Sequence, residues 1–164
     1  MNPGTHTFGW EDPTATLTAG MQLSGLQIWR AIAAGDLPRP PIGALMDFTL
    51  PEVEEGRIVF ASDAAPWMLN PIGSVHGGAI ATMLDSAVGC AVHTTLPAGV
   101  GYTTLELKVN FISGVSVDDG QLLAEGKVIH RGGTTAIAEG RLTAATDGRL
   151  LAYATTTCLI LKPR

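Results

Sequence analysis

Alternation between apolar and polar residues predicts a run of strands in the second half of the chain. The candidate strands are residues 102–112, 120–130, 134–146 and 150–161. In the first of them, apolar residues alternate with Thr104, Glu106, Lys108 and Asn110, which predicts one apolar and one polar face. Gly132-Gly133 and Asp147-Gly148 have the composition of tight turns between antiparallel strands. This half of the chain therefore predicts a meander of four antiparallel strands.

A helical spacing of apolar residues precedes these strands, from about residue 76 to residue 95. One narrow stripe at 100° per residue holds the apolar positions Ile80, Leu84, Ala87, Val88 and Ala91. The opposite face is small and nearly uncharged, and consists of Gly78, Thr82, Ser86, Gly89 and His93. We therefore expect a long helix that is buried on both faces.

The first third of the chain predicts a loose arm, a helix and a hairpin. Residues 1–20 are rich in Gly, Thr and Pro, and residues 21–34 have helical spacing, with Gly35 as a plausible stop. Residues 37–43 contain three prolines and favour an extended chain. The runs 42–50 and 56–63 alternate in part and indicate two paired strands.

This order of elements indicates an α+β fold. The order helix, two strands, long helix, four strands lacks the βαβ alternation of a parallel sheet. We therefore predict a largely antiparallel sheet wrapped around one long central helix.

The composition favours an oligomer. Only 15% of the residues are charged and 46% are hydrophobic, with a mean hydropathy of +0.26. No apolar run approaches the roughly 18 residues of a membrane span. The net charge of −5 and the lack of a basic run argue against nucleic acid as the main partner. Cys90 and Cys158 lie in apolar stretches without metal-ligand spacing and predict reduced core thiols.

The N-terminal residues show no sign of a leader. A basic segment followed by an apolar one is absent from the first residues, so the expectation is a cytoplasmic protein.

Asp85 is the most informative residue of the chain. It is the only residue with a formal charge between Asp63 and Glu106. A lone carboxylate among apolar residues is costly to keep ionised, so proteins seldom hold one there without a use for it. A sheltered carboxylate is suited to act as a general base or a nucleophile. We therefore interpret Asp85 as a catalytic residue, in a sheltered position on the long helix.

Gly77 and Gly78 are candidates for an electrophilic site at the start of that helix. The N–H groups of a helix N-terminus are unpaired and carry partial positive charge. Glycine lets a ligand oxygen approach this backbone closely, as an oxyanion hole for acyl transfer requires. Tight packing at the helix start is the alternative reason for glycine at these two positions.

The spacing of the two candidates points to a dimer. Asp85 follows Gly77 by eight residues, which is roughly 12 Å along a helix axis. Either the two residues are unrelated, or antiparallel helices of two subunits bring Gly77 of one to Asp85 of the other. The second arrangement is a two-fold dimer with two shared sites.

The segment NPIGSVHGGAIATMLDSAVGCAV, followed by LPAGVGYTTLELKVNFISG, strongly resembles the phenylacetate-degradation type of hotdog-fold acyl-CoA thioesterases. The resemblance covers residues 40–161 and implies a hotdog domain over residues 40–164, preceded by an arm and helix over residues 1–39. It implies hydrolysis of an acyl-CoA, a homodimer that pairs into a dimer of dimers, and no metal or other cofactor, because coenzyme A is part of the substrate.

The resemblance also assigns roles to residues. It implies that Gly77 forms the oxyanion hole, with Gly78 beside it, and that Asp85 is the catalytic acidic residue. Asn70 matches the family's amide residue that positions the water or the carbonyl group. His76 matches the histidine of the family motif, which stabilises the start of the helix. The hydroxyl at the start of the next strand falls on Thr104, with Thr103 as a second match.

Several points stay open at this stage. Arg131, in a glycine-rich turn, is a candidate contact for CoA phosphates, although one arginine in a turn is common. A non-catalytic acyl-CoA-binding protein of the same fold is the alternative function. A hotdog enoyl-CoA hydratase is less favoured, because its Asp before an Asn-Pro-x-His is absent around Asn70. The acyl group and the choice between base and nucleophile for Asp85 are not predicted.

Overall fold

One antiparallel sheet and one long helix make up most of the computed structural model, which describes residues 4–162. The ends of the predicted arm and of the predicted domain, residues 1–3 and 163–164, lie outside the described residues. The elements, in chain order, are α1 (Thr14–Ala19), α2 (Gly25–Ala34), α3 (Pro41–Leu45), β1 (Thr49–Glu54), β2 (Arg57–Asp63), α4 (Gly77–Thr94), β3 (Gly101–Phe111), β4 (Gln121–Arg131), β5 (Thr135–Ala144) and β6 (Leu150–Leu161).

The strands described over residues 4–162 form one sheet of six, in the order β1-β2-β4-β5-β6-β3. Every neighbouring pair in this order is antiparallel. The predicted α+β fold, an antiparallel sheet around one long helix, is confirmed. The predicted ends of β3, β4 and β6 are within one residue of the observed ends, because glycine-containing turns separate regularly alternating runs.

Helix α4 lies in the curve of this sheet. The predicted apolar stripe of α4 is buried, with Leu84, Ala87, Val88 and Ala91 fully inaccessible. Glycines on β4 and β5 allow this close approach, since a Cβ on Gly126 would collide with the carbonyl oxygen of Ala87. The opposite face of α4 departs from the prediction. Gly78 on that face is exposed, and only Gly89 is fully buried there.

Helix α2 begins and ends on local signals. Ser24 accepts a hydrogen bond from the backbone N–H of Gln27, and the Gln27 side chain accepts one from the N–H of Ser24. This capping box starts the helix at residue 25 rather than 21. The predicted stop at Gly35 is confirmed, because the residue has a φ of +83° that favours glycine.

Two predictions for the N-terminal third are wrong. The arm predicted over residues 1–20 contains the short helix α1, and the extended segment predicted before β1 contains α3. Pro41 stands at the first helical position of α3, where the fixed φ of proline suits a helix and its missing N–H costs nothing. Strand β1 therefore starts at Thr49 rather than near residue 42. Within residues 4–162, no helix is long and apolar enough to cross a membrane.

Candidate active site

The loop before α4 is held by the side chain of Asn70. Its Oδ1 accepts hydrogen bonds from the N–H groups of Ile72 at 3.0 Å and Ser74 at 3.1 Å. Its Nδ2 donates to the Ser74 hydroxyl at 2.8 Å. The N–H of His76 then donates to the carbonyl oxygen of Met68 at 2.8 Å. Asn70 therefore fixes the turn from which α4 starts, and its Nδ2 donates no second hydrogen bond within residues 4–162.

His76 caps the start of α4. The residue is extended, with φ −62° and ψ 135°, and its Nδ1 accepts a hydrogen bond from the N–H of Gly78 at 2.8 Å. A Cβ on Gly78 would lie 2.9 Å from this nitrogen, so glycine is required for the cap in its present geometry. The N–H of Gly77 makes no hydrogen bond within residues 4–162. A helix N-terminus with one free N–H is a site for an oxygen that carries negative charge.

Asp85 lies eight residues further along the same unbroken helix. Its Oδ1 accepts a hydrogen bond from the Thr104 hydroxyl of β3 at 3.0 Å. The sheltered position predicted for Asp85 is wrong for the single chain, because its side chain is exposed. Its apolar sequence neighbours, such as Leu84 and Ala87, point to the other side of α4, into the sheet.

Thr104 reaches Asp85 because of a β-bulge in β3. The pairing of β3 with β6 shifts between Thr104 and Glu106, which leaves Leu105 as an extra residue. The extra residue reverses the alternation of faces along β3 from this point on. Thr104 therefore lies on the same face as Leu107, towards α4, whereas the sequence predicted it on the polar face with Glu106. Leu105 is 58% exposed. Bulges often aim a side chain at a functional site in this way, and a strict period of two gives no sign of one.

A cavity of about 760 Å³ opens beside Asp85. Its α4 side is formed by Asp85, Ser86 and Cys90, and its β3 side by Tyr102 and Thr104. The rest of its lining comes from residues 29–60, together with Glu11. This contribution was not predicted from the sequence, although the helical spacing of apolar residues in α2 indicates a buried face.

The other predicted site residues lie away from this cavity. Asn70, His76, Gly77 and Gly78 are at the start of α4 and do not line it. Thr103 and Arg131 are exposed and do not line it either. One chain therefore brings together only Asp85 and Thr104, and the helix-start group faces a different part of the surface.

Buried groups around the cavity are held in their neutral forms. Burial raises the pKa of the Cys90 thiol and of the Tyr102 hydroxyl, which lie 3.7 Å apart. Burial lowers the pKa of His93, whose Nδ1 accepts a hydrogen bond from Trp29 Nε1 at 3.0 Å. Cys90 and Cys158 are buried free thiols, as predicted. Asp85, which also lines the cavity, is exposed.

No group of three or more His, Cys, Asp or Glu side chains that could hold a metal ion occurs among the described residues 4–162.

Comparison of the sequence with known proteins gives a consistent set of relatives. The family model described as Thioesterase superfamily matches residues 72–151. A protein of Saccharolobus solfataricus, named as a candidate esterase, is 31% identical over 119 residues, which are 73% of this chain and 82% of the relative. A candidate esterase of Halobacterium salinarum is 38% identical over 69 residues, which are 41% of this chain and only 44% of that relative.

Solved structures extend the same likeness to the fold. A thioesterase candidate from Ralstonia eutropha JMP134, named a phenylacetic acid degradation-related protein, has a TM-score of 0.72 and 28% identity, over 80% of this chain and 98% of that one. A Streptococcus mutans UA159 protein bound to acetyl-CoA has a TM-score of 0.64 and 27% identity, over 71% of this chain and 90% of that one. The hotdog architecture expected from the sequence is confirmed.

Proposed function

Since the chain belongs to the thioesterase superfamily, we propose that it hydrolyses acyl-CoA thioesters to coenzyme A and a carboxylic acid. The observation that carries this proposal is the placement of Asp85, whose carboxylate accepts the Thr104 hydrogen bond at the edge of a cavity. The Streptococcus mutans relative bound to acetyl-CoA supports a CoA ester as the ligand.

The free N–H of Gly77 supplies the electrophilic half of the proposed site. It points out of a helix N-terminus, where the helix dipole adds positive potential. A thioester carbonyl oxygen that accepts this hydrogen bond gains stabilisation as it becomes an oxyanion in the tetrahedral intermediate. The Asn70 turn and the His76 cap fix the position of this N–H, and Gly78 makes the cap possible.

The carboxylate of Asp85 supplies the other half. As a general base it takes a proton from water while the water oxygen attacks the carbonyl carbon, and the C–S bond then breaks to release the CoA thiolate. As a nucleophile it forms a mixed anhydride, which water hydrolyses in a second step. In both routes the Thr104 hydroxyl holds the carboxylate in place. Water is the only co-reactant, so neither a metal nor another cofactor is required.

The two halves come from different subunits in this proposal. Gly77 and Asp85 are separated by eight residues of unbroken helix, roughly 12 Å. The N–H of Gly77 also does not line the cavity that Asp85 lines. A two-fold axis that sets two α4 helices antiparallel joins Gly77 of one subunit to Asp85 of the other, and covers the exposed carboxylate.

The direct test is Asp85→Asn, assayed by release of free thiol from several acyl-CoAs. Asparagine is nearly isosteric and keeps an acceptor for the Thr104 hydroxyl, so we expect a folded protein. Loss of a base or nucleophile should lower kcat by roughly 10²-fold or more. Asp47→Asn, an exposed carboxylate outside the cavity lining, is the matched control and should keep the activity.

Two results would contradict the proposal. Near-normal turnover in the folded Asp85→Asn protein would remove Asp85 from the reaction. Tight binding of acyl-CoA by the unmodified protein without any thiol release would favour the non-catalytic acyl-CoA-binding function instead.

A further inference from the structure

The cavity beside Asp85 extends away from the carboxylate into the N-terminal third of the chain. Its lining there includes the apolar residues Trp29, Ile32, Leu37, Phe48, Leu50 and Phe60, and the charged residues Glu11, Asp36 and Arg39 on this side are exposed. All of these residues precede residue 72, where the match to the family model begins. The chemistry and the far wall of the cavity therefore come from different parts of the sequence.

Trp29 is held in this wall by contacts on several sides. It is only 8% exposed, and its ring meets Phe60 edge to face, with centroids 5.8 Å apart at 74°. Its indole N–H donates to His93 of α4 at 3.0 Å. Gly25, one helical turn before Trp29, lies directly against the backbone of His93, where a Cβ would not fit. The indole is therefore locked between α4 and the sheet.

Residues of α4 that line or adjoin the cavity connect this indole to the carboxylate. Asp85 and Cys90 both line the cavity, and they are separated by five residues, roughly 7.5 Å along the axis. His93 follows Cys90 by about one turn and carries the Trp29 hydrogen bond. An acyl chain whose carbonyl group lies beside Asp85, and which follows α4 past Cys90, thus reaches Trp29.

We propose that Trp29 is the specificity-determining residue of an acyl pocket, and that the pocket takes a bulky apolar acyl group, aromatic or medium-chain. This rests on the proposed thioesterase function. A cavity of about 760 Å³ with an apolar inner wall is far larger than an acetyl group needs. An apolar acyl body gains by displacing water from that wall, whereas acetyl leaves most of it unfilled. His93 acts as a positioning residue that holds the indole.

The first test is the acyl-chain profile of kcat/KM for acetyl-, octanoyl-, dodecanoyl- and benzoyl-CoA. We expect the unmodified protein to prefer octanoyl- or benzoyl-CoA over acetyl-CoA, and the better of the two identifies the acyl type. Trp29→Phe should raise the ratio for dodecanoyl- over octanoyl-CoA by about tenfold, because the pocket lengthens by part of an indole. Trp67→Phe is the matched control, since Trp67 stacks on His6 outside the cavity and should leave this ratio unchanged.

The second test keeps Trp29 in place. Trp10→Phe and Trp67→Phe leave Trp29 as the sole tryptophan of the chain, and Asp85→Asn stops turnover. Octanoyl-CoA should change the fluorescence of Trp29, whereas coenzyme A alone should not. A Trp29 signal that is the same with both ligands overturns the pocket assignment, even if the Trp29→Phe protein does not fold.

The two proposals fail in different ways. If the unmodified protein releases no thiol from any of these esters but the Trp29 signal responds to octanoyl-CoA, the thioesterase function is wrong and the acyl pocket stands. If thiol is released, but Trp29→Phe leaves the acyl-chain profile unchanged and the Trp29 fluorescence responds equally to octanoyl-CoA and coenzyme A, the thioesterase function stands. The assignment of the acyl pocket is then wrong.

Discussion

At the scale of single residues, two neighbouring glycines at the start of α4 serve different purposes. Gly78 makes room for the ring nitrogen of His76, which caps the helix. Gly77 keeps its own N–H free, and a Cβ there would lie 3.1 Å from the ring of Phe111, which is 57% exposed and free to yield. The side chain at residue 77 can thus be changed more easily than the one at residue 78.

This difference allows the N–H of Gly77 to be removed without removing the helix. Proline is tolerated at the first helical position, and His76 already has the extended backbone that a residue before proline prefers. Gly77→Pro should lower kcat by roughly 10²–10³-fold, the usual loss for one oxyanion donor. Gly77→Ala brings the same Cβ to Phe111 and keeps the N–H, so it should retain most of the activity. Equal kcat in the two variants would show that this N–H is not used.

At the scale of elements, the position of α4 depends on how closely the sheet can approach it. Gly126 of β4 lies against the backbone of Ala87, and Gly140 of β5 lies against the side chain of Val88. Backbone atoms in a packed core cannot move aside, so added volume at Gly126 displaces the whole helix.

Gly126→Ala should therefore destabilise the protein more than the addition of one methyl group usually does. We expect the free energy of unfolding to fall by roughly 3 kcal/mol, at the upper end of overpacking costs. Gly101→Ala is the matched control in β3, because its Cβ would meet only the Leu161 side chain at 3.9 Å. Urea unfolding of both proteins measures the difference. A loss below about 0.5 kcal/mol for Gly126→Ala would contradict this account of the packing.

The docking of α2 on α4 should depend on pH through His93. Burial lowers the pKa of His93 from its ordinary 6.5, so the unfolded chain takes up the proton first as the pH falls. The free energy of unfolding should therefore decrease as the pH falls from 6.5 towards the lower pKa of the folded protein. His93→Gln should flatten this decrease, and His130→Gln, which changes an exposed histidine, should not. Identical pH dependences in the two variants would contradict it.

The sequence predicted the elements well where periodicity is a sufficient signal. Strands β2 to β6 and α4 follow from alternating or helical runs that are separated by glycine turns, whereas β1 was predicted too early in the chain. Periodicity failed at residues 41–45, where Pro41 starts a helix, and at Leu105, where an extra residue turns Thr104 towards Asp85. The sequence also predicted a sheltered Asp85, whose side chain is exposed. Its apolar neighbours in sequence lie on other faces of the helix and therefore do not cover it. The cavity wall joins distant segments, such as α2 and β2, and no local pattern reports such a contact.

At the scale of the whole molecule, exposed apolar residues lie where a second subunit is proposed. Phe111 and Ile112 are 57% and 53% exposed at the end of β3, where the Phe111 ring lies beside Gly77. Leu105, the residue after Thr104, is exposed as well. Exposed apolar side chains on both sides of the proposed shared site are typical of an interaction surface. They support the proposed dimer.

Subunit mixing tests the shared sites. We expect Asp85→Asn and Gly77→Pro, each nearly inactive, to restore one another after dissociation and random reassembly. Half of the dimers are then hybrids, and each hybrid has one site with both changes and one with neither, by two-fold symmetry. Activity should return to about a quarter of the unmodified value.

Two controls accompany this experiment. Subunit exchange is measured separately with a tagged chain, and light scattering gives the mass in solution. Confirmed exchange without recovered activity, or a monomer mass at micromolar concentration, would rule out sites shared between two copies.

The division of the cavity between two parts of the chain has a consequence for how such a protein diverges. Its carboxylate stands on α4, which lies directly against Gly126 of the sheet, whereas its far wall is built by residues 29–60, which include α2. Selection can therefore exchange one side chain of that wall for another and change which esters the proposed site accepts, while the helix that carries Asp85 is inherited intact. Descendants of one ancestral reaction would then differ first in their N-terminal thirds.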